Sequence, residues 1–126
     1  MIYFFDRNFG RKVPQALKEH GHDVVVHDDY FGQATIDEHW LAEVGRRGWT
    51  VLTKDDRIRF NDVEFAVLLR YKVGCFTMMR RNDPWEQLRD SLLLAWPRIE
   101  EISASETRPF MYAIYQDGSI QIRDLS

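Results

Sequence analysis

The chain has a single cysteine, Cys75, which rules out an internal disulfide and a thiolate zinc site. Its place in the apolar run Cys75-Phe76-Thr77-Met78-Met79 makes it a small buried hydrophobe rather than a nucleophile. No apolar stretch is long enough to span a bilayer and no basic leader opens the chain. Neither membrane insertion nor secretion is therefore expected, and a reducing cytoplasm is the expected compartment. Phosphate-cradling glycine loops, dinucleotide fingerprints and serine-centred nucleophile elbows are missing, which removes several common enzyme classes. Positive charge is not in excess either: 17 Lys and Arg face 20 Asp and Glu, a net charge of -3. Any grip on nucleic acid must come from basic residues gathered locally, not from bulk attraction.

What is present suffices for a core. In 126 residues, 44% are hydrophobic and 13% aromatic, which excludes disorder and fits one globular domain spanning 1–126. Met1 to Phe5 reads as a buried strand, Gly10 to His20 as a helix with Val13, Ala16 and Leu17 on one face, and Asp23 to His27 as a second, β-branched strand. Thr35-Ile36-Asp37-Glu38 has the spacing of a capping box and opens a helix that Gly48 ends. Trp49 to Thr53 is the third strand. Asn61-Asp62-Val63-Glu64 repeats the cap signature before a helix running to Gly74, and Cys75 to Met79 is the fourth strand. Asp83-Pro84 starts a long helix with a stripe of Trp85, Leu88, Leu92, Ala95, Trp96 and Ile99, bent at Pro97. Alternating strands around Asp117-Gly118 then form a tight hairpin. Strands each followed by a helix give a three-layer α/β/α domain with a mainly parallel sheet. The core is expected over about residues 1–102 and the hairpin, about 108–124, as an appendage that covers a sheet edge or pairs with a second copy of the chain.

Chemistry gathers at the strand ends. Asp6 ends an otherwise apolar strand and Asp55 follows another, and in open α/β sheets ligands bind outside the carboxyl ends of strands. With Asp37 and Glu38 opening a helix between them, these acids suggest a carboxylate cluster, which needs a compensating cation. Hard oxygen donors favour Mg²⁺ or Mn²⁺. Capping and the helix dipole alone explain Asp37 and Glu38. Because neighbouring helical residues point about 100° apart, one of the two is expected to reach the metal, and Glu38 is favoured. Asp56 is expected further out, through water or another ligand, and the Thr53 hydroxyl bonds a carboxylate or a phosphate. Arg7, Arg11, Lys12, Arg46, Arg47, Lys54, Arg57 and Arg59 share the acidic half of the chain, where they offset its charge and are placed to grip phosphates. For any one of them a solvated surface is the simpler explanation. Most of His20, His22, His27 and His39 read as surface residues, and His27 with Asp28 and Asp29 as a solvated loop in preference to a separate hydrophilic site.

Three strings resemble a known family: Phe4-Phe5-Asp6-Arg7-Asn8, Asp37-Glu38-His39-Trp40-Leu41, and Gly48-Trp49-Thr50-Val51-Leu52-Thr53-Lys54-Asp55-Asp56-Arg57-Ile58-Arg59. They are similar to the PIN-like domains related to VapC-type toxins, over roughly the first eighty residues. The resemblance implies an endoribonuclease that uses Mg²⁺ or Mn²⁺ to hydrolyse RNA phosphodiester bonds. It also implies a toxin role with a small antitoxin as partner, and a homodimer. By position, Asp6, Glu38 or Asp37, and Asp55 take the places of the metal-binding and catalytic acids, with Asp56 outermost. Arg7, Thr53, Lys54 and Arg57 fall where substrate contacts are expected. The departure from the family pattern is the adjacency of Asp55 and Asp56, with Asp62 beyond a basic turn. A PIN-like module that binds RNA or protein without cleaving remains the alternative. A phospho-acceptor signalling domain fits less well, since no acidic pair directly follows the first strand.

Overall fold

Alternation along the strands fixes the architecture. In a computed structural model, which describes residues 1–79 and 82–125, Tyr3 and Phe5 of β1 (Tyr3–Phe5) face one way and Phe4 the other. Because the period of a strand is two, each strand feeds two separate cores. On one face Tyr3, Phe5, Leu52, Phe76 and Tyr112 pack with Val13 and Leu17 of α1 (Lys12–Glu19) and with Leu88, Leu92 and Trp96 of α4 (Trp85–Ser105). On the other, Phe4, Val51, Cys75 and Met111 pack with Trp40, Leu41 and Val44 of α2 (Asp37–Arg47) and Leu68 of α3 (Asp62–Arg70). Each fully buried large side chain contributes on the order of 2 kcal/mol. The result is the expected three-layer α/β/α arrangement.

The sheet runs β2 (Val24–Val26), β1, β3 (Thr50–Thr53), β4 (Gly74–Met78), β5 (Phe110–Ile114), β6 (Ile120–Ile122). All neighbours are parallel except β5 and β6. β1 is followed by β2 on one side and flanked by β3 on the other, so strand order reverses beside β1. At such a switch point the two crossovers leave in opposite directions and open a crevice at the carboxyl ends. Asp6 and Asp55 stand at the ends of these two strands.

Three expectations need correction. The C-terminal hairpin covers a sheet edge, the first of the two roles expected of it, but as an integral part of the sheet and not an appendage: β5 pairs in parallel with β4 over its whole length, from Gly74 with Phe110 to Met78 with Ile114, and every residue of β5 is buried. The expected break near residue 102 falls inside α4, whose apolar stripe binds the hairpin half to the rest. At the hairpin turn Gly118 has φ 83°, and a Cβ there would come within 2.6 Å of Leu94 Cβ, so both backbone and space require glycine. α2 starts with Ile36, not Thr35, at its N-cap, with no side-chain cap. α4 likewise begins at Trp85 with Pro84 at the N-cap, and it runs on through Pro97, whose ring is exposed. Among the described residues no helix is long and apolar enough to cross a membrane.

Candidate active site

Asp6 is held by its neighbours in space. Its backbone N–H reaches Leu52 O at 2.9 Å, so β1 stays tied to β3 past its last residue. Its Oδ2 accepts from Thr53 Oγ1 at 2.8 Å and from Asn8 Nδ2 at 3.1 Å. Asn8 also accepts the Lys54 N–H at 3.1 Å, and Thr53 Oγ1 accepts that of Asp55 at 3.1 Å. Burial pushes the Asp6 pKa up, the Thr53 hydrogen bond opposes the shift, and the negative charge of Asp37 adds to it. Thr53 is 0% exposed and its hydroxyl bonds the Asp6 carboxylate, one of the two partners expected of it, so it positions Asp6 and does not line the cavity where a substrate contact was expected.

Asp55 lies two residues beyond β3 and caps the 3-10 turn Asp56–Phe60 by accepting the Arg57 N–H at 3.0 Å. The Arg57 guanidinium returns to the same carboxylate, with Nε 2.9 Å from Oδ1 and Nη2 3.3 Å from Oδ2. Arg57 is 74% exposed, and so open an ion pair is weak enough to yield to a divalent cation. Asp56 begins the turn and takes no part in the cavity wall described below. Lys54 lies over the Phe9 ring, 6.0 Å from its centroid.

At the start of α2 it is Asp37, the alternative to the favoured Glu38, that shares a cavity wall with Asp6 and Asp55. Asp37 is the first helical residue, and its Oδ1 accepts from Trp40 Nε1 at 2.9 Å, one turn on. Asp37 lines a cavity of about 440 Å³ together with Asp6, Arg7, Asn8, His27, Trp40 and Asp55. Glu38, the favoured residue, instead faces the groove between α2 and α3, beside Glu43, Val63 and Arg70. Adjacent helical residues point about 100° apart, so with Asp37 on the cavity wall Glu38 is turned away from it. A second cavity of about 280 Å³ adjoins the first, sharing Asn8 and Asp55 and adding Lys54, Arg57 and Asn82. An acidic hollow thus opens beside a basic one.

Two residues were missed. Glu64, read as part of a cap, has its pKa pushed up to about 8 by burial, by a hydrogen bond with Asp37, and by the charges of Asp37, Glu38 and Asp55. Its backbone does serve the cap, with Glu64 N donating to Asn61 Oδ1 at 3.0 Å, which leaves the side chain to reach the acids. His27, read as a surface residue, is buried at 3% exposure. His22 is not simply solvated either, since its ring stacks on Trp96 at 4.8 Å. The switch from β-branched strand to polar turn was the signal available for His27; nothing in the spacing marked Glu64.

Among the described residues no three His, Cys, Asp or Glu side chains stand as a ready-made metal cage. The donors nevertheless fit Mg²⁺ or Mn²⁺. They are hard carboxylate oxygens, and burial raises the pKa of Asp6 and of Glu64, with the negative charge of Asp37 adding to both shifts. Mg²⁺ keeps several of its waters and needs only one or two carboxylates, so a loose set is sufficient.

The model of the PIN like domain matches residues 1–80, more than half of the chain and the part that supplies every acid above. The chain belongs to the PIN-like domain family. Its relatives include a Mycobacterium tuberculosis (strain ATCC 25618 / H37Rv) protein named "Putative ribonuclease VapC45", 27% identical over 124 residues. That match covers 94% of this PIN-like chain and 89% of the relative. No solved structure matches it significantly.

Proposed function

We propose that this PIN-like domain is a Mg²⁺- or Mn²⁺-dependent endoribonuclease that hydrolyses RNA phosphodiester bonds, as the toxin of a type II toxin–antitoxin pair. The observation that carries this reading is the meeting of Asp6, Asp37 and Asp55, from three separate stretches of chain, on the wall of one cavity. The ribonuclease name of the mycobacterial relative supports it. Asp6, Asp37 and Asp55 would hold the cation, with Glu64 beside Asp37 and with Asp56 acting through water. When bound, the cation activates water for in-line attack on phosphorus and neutralises charge on the non-bridging oxygens. Asn8 and Thr53 keep the Asp6 carboxylate in one orientation. Lys54 and Arg57 in the adjoining basic cavity, and Arg7 on the acidic one, are placed to grip the phosphates on either side of the scissile bond.

The decisive measurement is RNA cleavage by the purified chain with Mn²⁺. Activity is expected to vanish with a chelator and in both Asp6→Asn and Asp55→Asn; cleavage by both variants at the parent rate would place the activity elsewhere. The second reading, a PIN-like module that binds RNA or protein without cutting, draws on the hold of Arg57 over Asp55. Under it RNA is retained but not cut, and Mn²⁺ fails to raise the melting temperature. A small antitoxin is the proposed protein partner, and the cytoplasm the proposed site of action. The proposed homodimer would use the free edge of β6, where Ile122 is 66% exposed.

A further inference from the structure

One titratable group on the acidic cavity has no part in that scheme. His27 opens the 3-10 turn His27–Asp29 after β2. Phe4, Phe31 and Trp40 surround its ring, with centroids 6.1, 5.5 and 6.0 Å away, and this packing fixes the ring plane. Burial among aromatics is the ordinary state of a core histidine, but three further observations set this one apart. Its Nδ1 lies 3.0 Å from Asp28 Oδ1, and since a carboxylate only accepts, Nδ1 carries the hydrogen. Asp28 is itself anchored by Arg7, whose Nε is 3.4 Å away. Finally, His27 lines the cavity with Asp6, Asp37 and Asp55, near enough for its charge to act on Asp6. Nε2 makes no hydrogen bond among the described residues and is the ring atom left for a ligand.

We propose that His27 is the proton donor to the leaving oxygen when RNA is hydrolysed in this cavity, an inference that rests on the nuclease reading. As the oxygen of water bonds to phosphorus, the bond from phosphorus to the leaving ribose oxygen breaks and its electron pair stays on that oxygen. The oxygen takes the proton from Nε2 and departs as a hydroxyl, while the phosphate remains on the other fragment. Water supplies the incoming oxygen and loses its proton to solvent, from which His27 is recharged. Asp28 holds the ring and balances the imidazolium. The charged groups that line the cavity with the ring are Asp28 on its own turn, Arg7 and Asp6 after β1, Asp37 at the start of α2 and Asp55 after β3. Imidazole is suited to the task because a carboxylate can hold one ring nitrogen while the other donates.

The test compares two substrates with Mn²⁺ present: an RNA oligonucleotide, and bis(p-nitrophenyl) phosphate, whose leaving group needs no proton. His27→Asn is expected to lose about a hundredfold or more in kcat on RNA. It should cleave the nitrophenyl ester at the parent rate. Equal losses on both substrates, or no loss on RNA, would overturn the proposal. Should His27→Asn fail to melt cooperatively, Asp28→Asn carries the test, with an expected loss of roughly tenfold on RNA alone; an equal loss on the ester again overturns it. If the parent chain cleaves neither substrate, the nuclease reading fails first and this inference with it.

Discussion

The two ends of the sheet treat charge in opposite ways. At the amino ends of β3 and β5, Arg108 is half-buried, and its guanidinium donates to the Trp49 carbonyl at 3.0 Å and to the Thr50 hydroxyl. Burial lowers its pKa and the nearby Tyr3 opposes that shift. The charge is absorbed by the fold. At the carboxyl ends of β1 and β3, by contrast, Asp6, Asp37 and Asp55 crowd one hollow, and both Asp6 and Glu64 have raised pKa values. Burial disfavours the charged form at both ends, but at one end the fold supplies acceptors for the Arg108 donors, whereas at the other the charge of Asp37 adds to the burial of Asp6 and Glu64 until a proton or a cation joins them. One end is built to hold the chain, the other to hold something else.

That contrast can be broken in four ways. The largest effect is expected from Asp6→Asn, which should lower RNA cleavage on the order of a thousandfold and abolish the Mn²⁺-induced rise in melting temperature. The metal-free variant should melt no lower than the parent, because the substitution removes a buried charge that the fold disfavours. Next, Arg108→Ala should cost about 2 kcal/mol, from lost hydrogen bonds to a charged donor, read as a lower denaturation midpoint. Its Mn²⁺ shift should stay that of the parent; a changed shift would mean that the two ends are coupled.

Glu64→Gln gives a smaller, pH-dependent effect. The glutamate has an ordinary pKa of 4.5 that the fold raises to about 8. Between these values the folded chain keeps a proton that the unfolded chain has released. The stability contributed is therefore complete below pH 4.5 and is lost as pH rises through about 8. The metal-free parent should melt at lower temperature as pH rises across this window. Glu64→Gln should flatten that slope and melt above the parent at the alkaline end, which differential scanning calorimetry would show. Mn²⁺ competes with the proton, so its stabilising effect on the parent should grow over the same range. The smallest effect is expected from Glu38→Gln, with cleavage close to that of the parent, whereas Asp37→Asn should cripple it. A reversal of that order would restore the sequence-based choice of helix acid.

Asp6 and Asp55 were legible because an acid at the end of a wholly apolar strand has few structural reasons to be there. Glu64 was not, since the spacing Asn61-x-x-Glu64 is what a helix cap requires and the cap does form; its backbone satisfied the pattern while its side chain went elsewhere. The choice between Asp37 and Glu38 was not legible, because the two are neighbours on one helical turn and only the packing of α2 against the sheet decides which of them lines the cavity. The hairpin was misjudged for a related reason. The Asp117-Gly118 turn announces that β5 and β6 pair, but it says nothing of the pairing of β5 with β4 across α4.

Read alone, the amino-acid order determined which segments become strands and helices, that the sheet is mainly parallel, and that acids stand at its carboxyl ends, because each of these follows from local periodicity and from the right-handed crossover of parallel strands. Tertiary structure decided which acids meet and which neighbours fix them. Thr53 and Asp6 are 47 positions apart yet share a 2.8 Å hydrogen bond. Glu64 meets Asp37, and His27 faces the acids, only once α2, α3 and the turn after β2 have packed around β1. Contacts of that kind depend on the rotation of each element against its neighbours, which packing sets and no local spacing encodes.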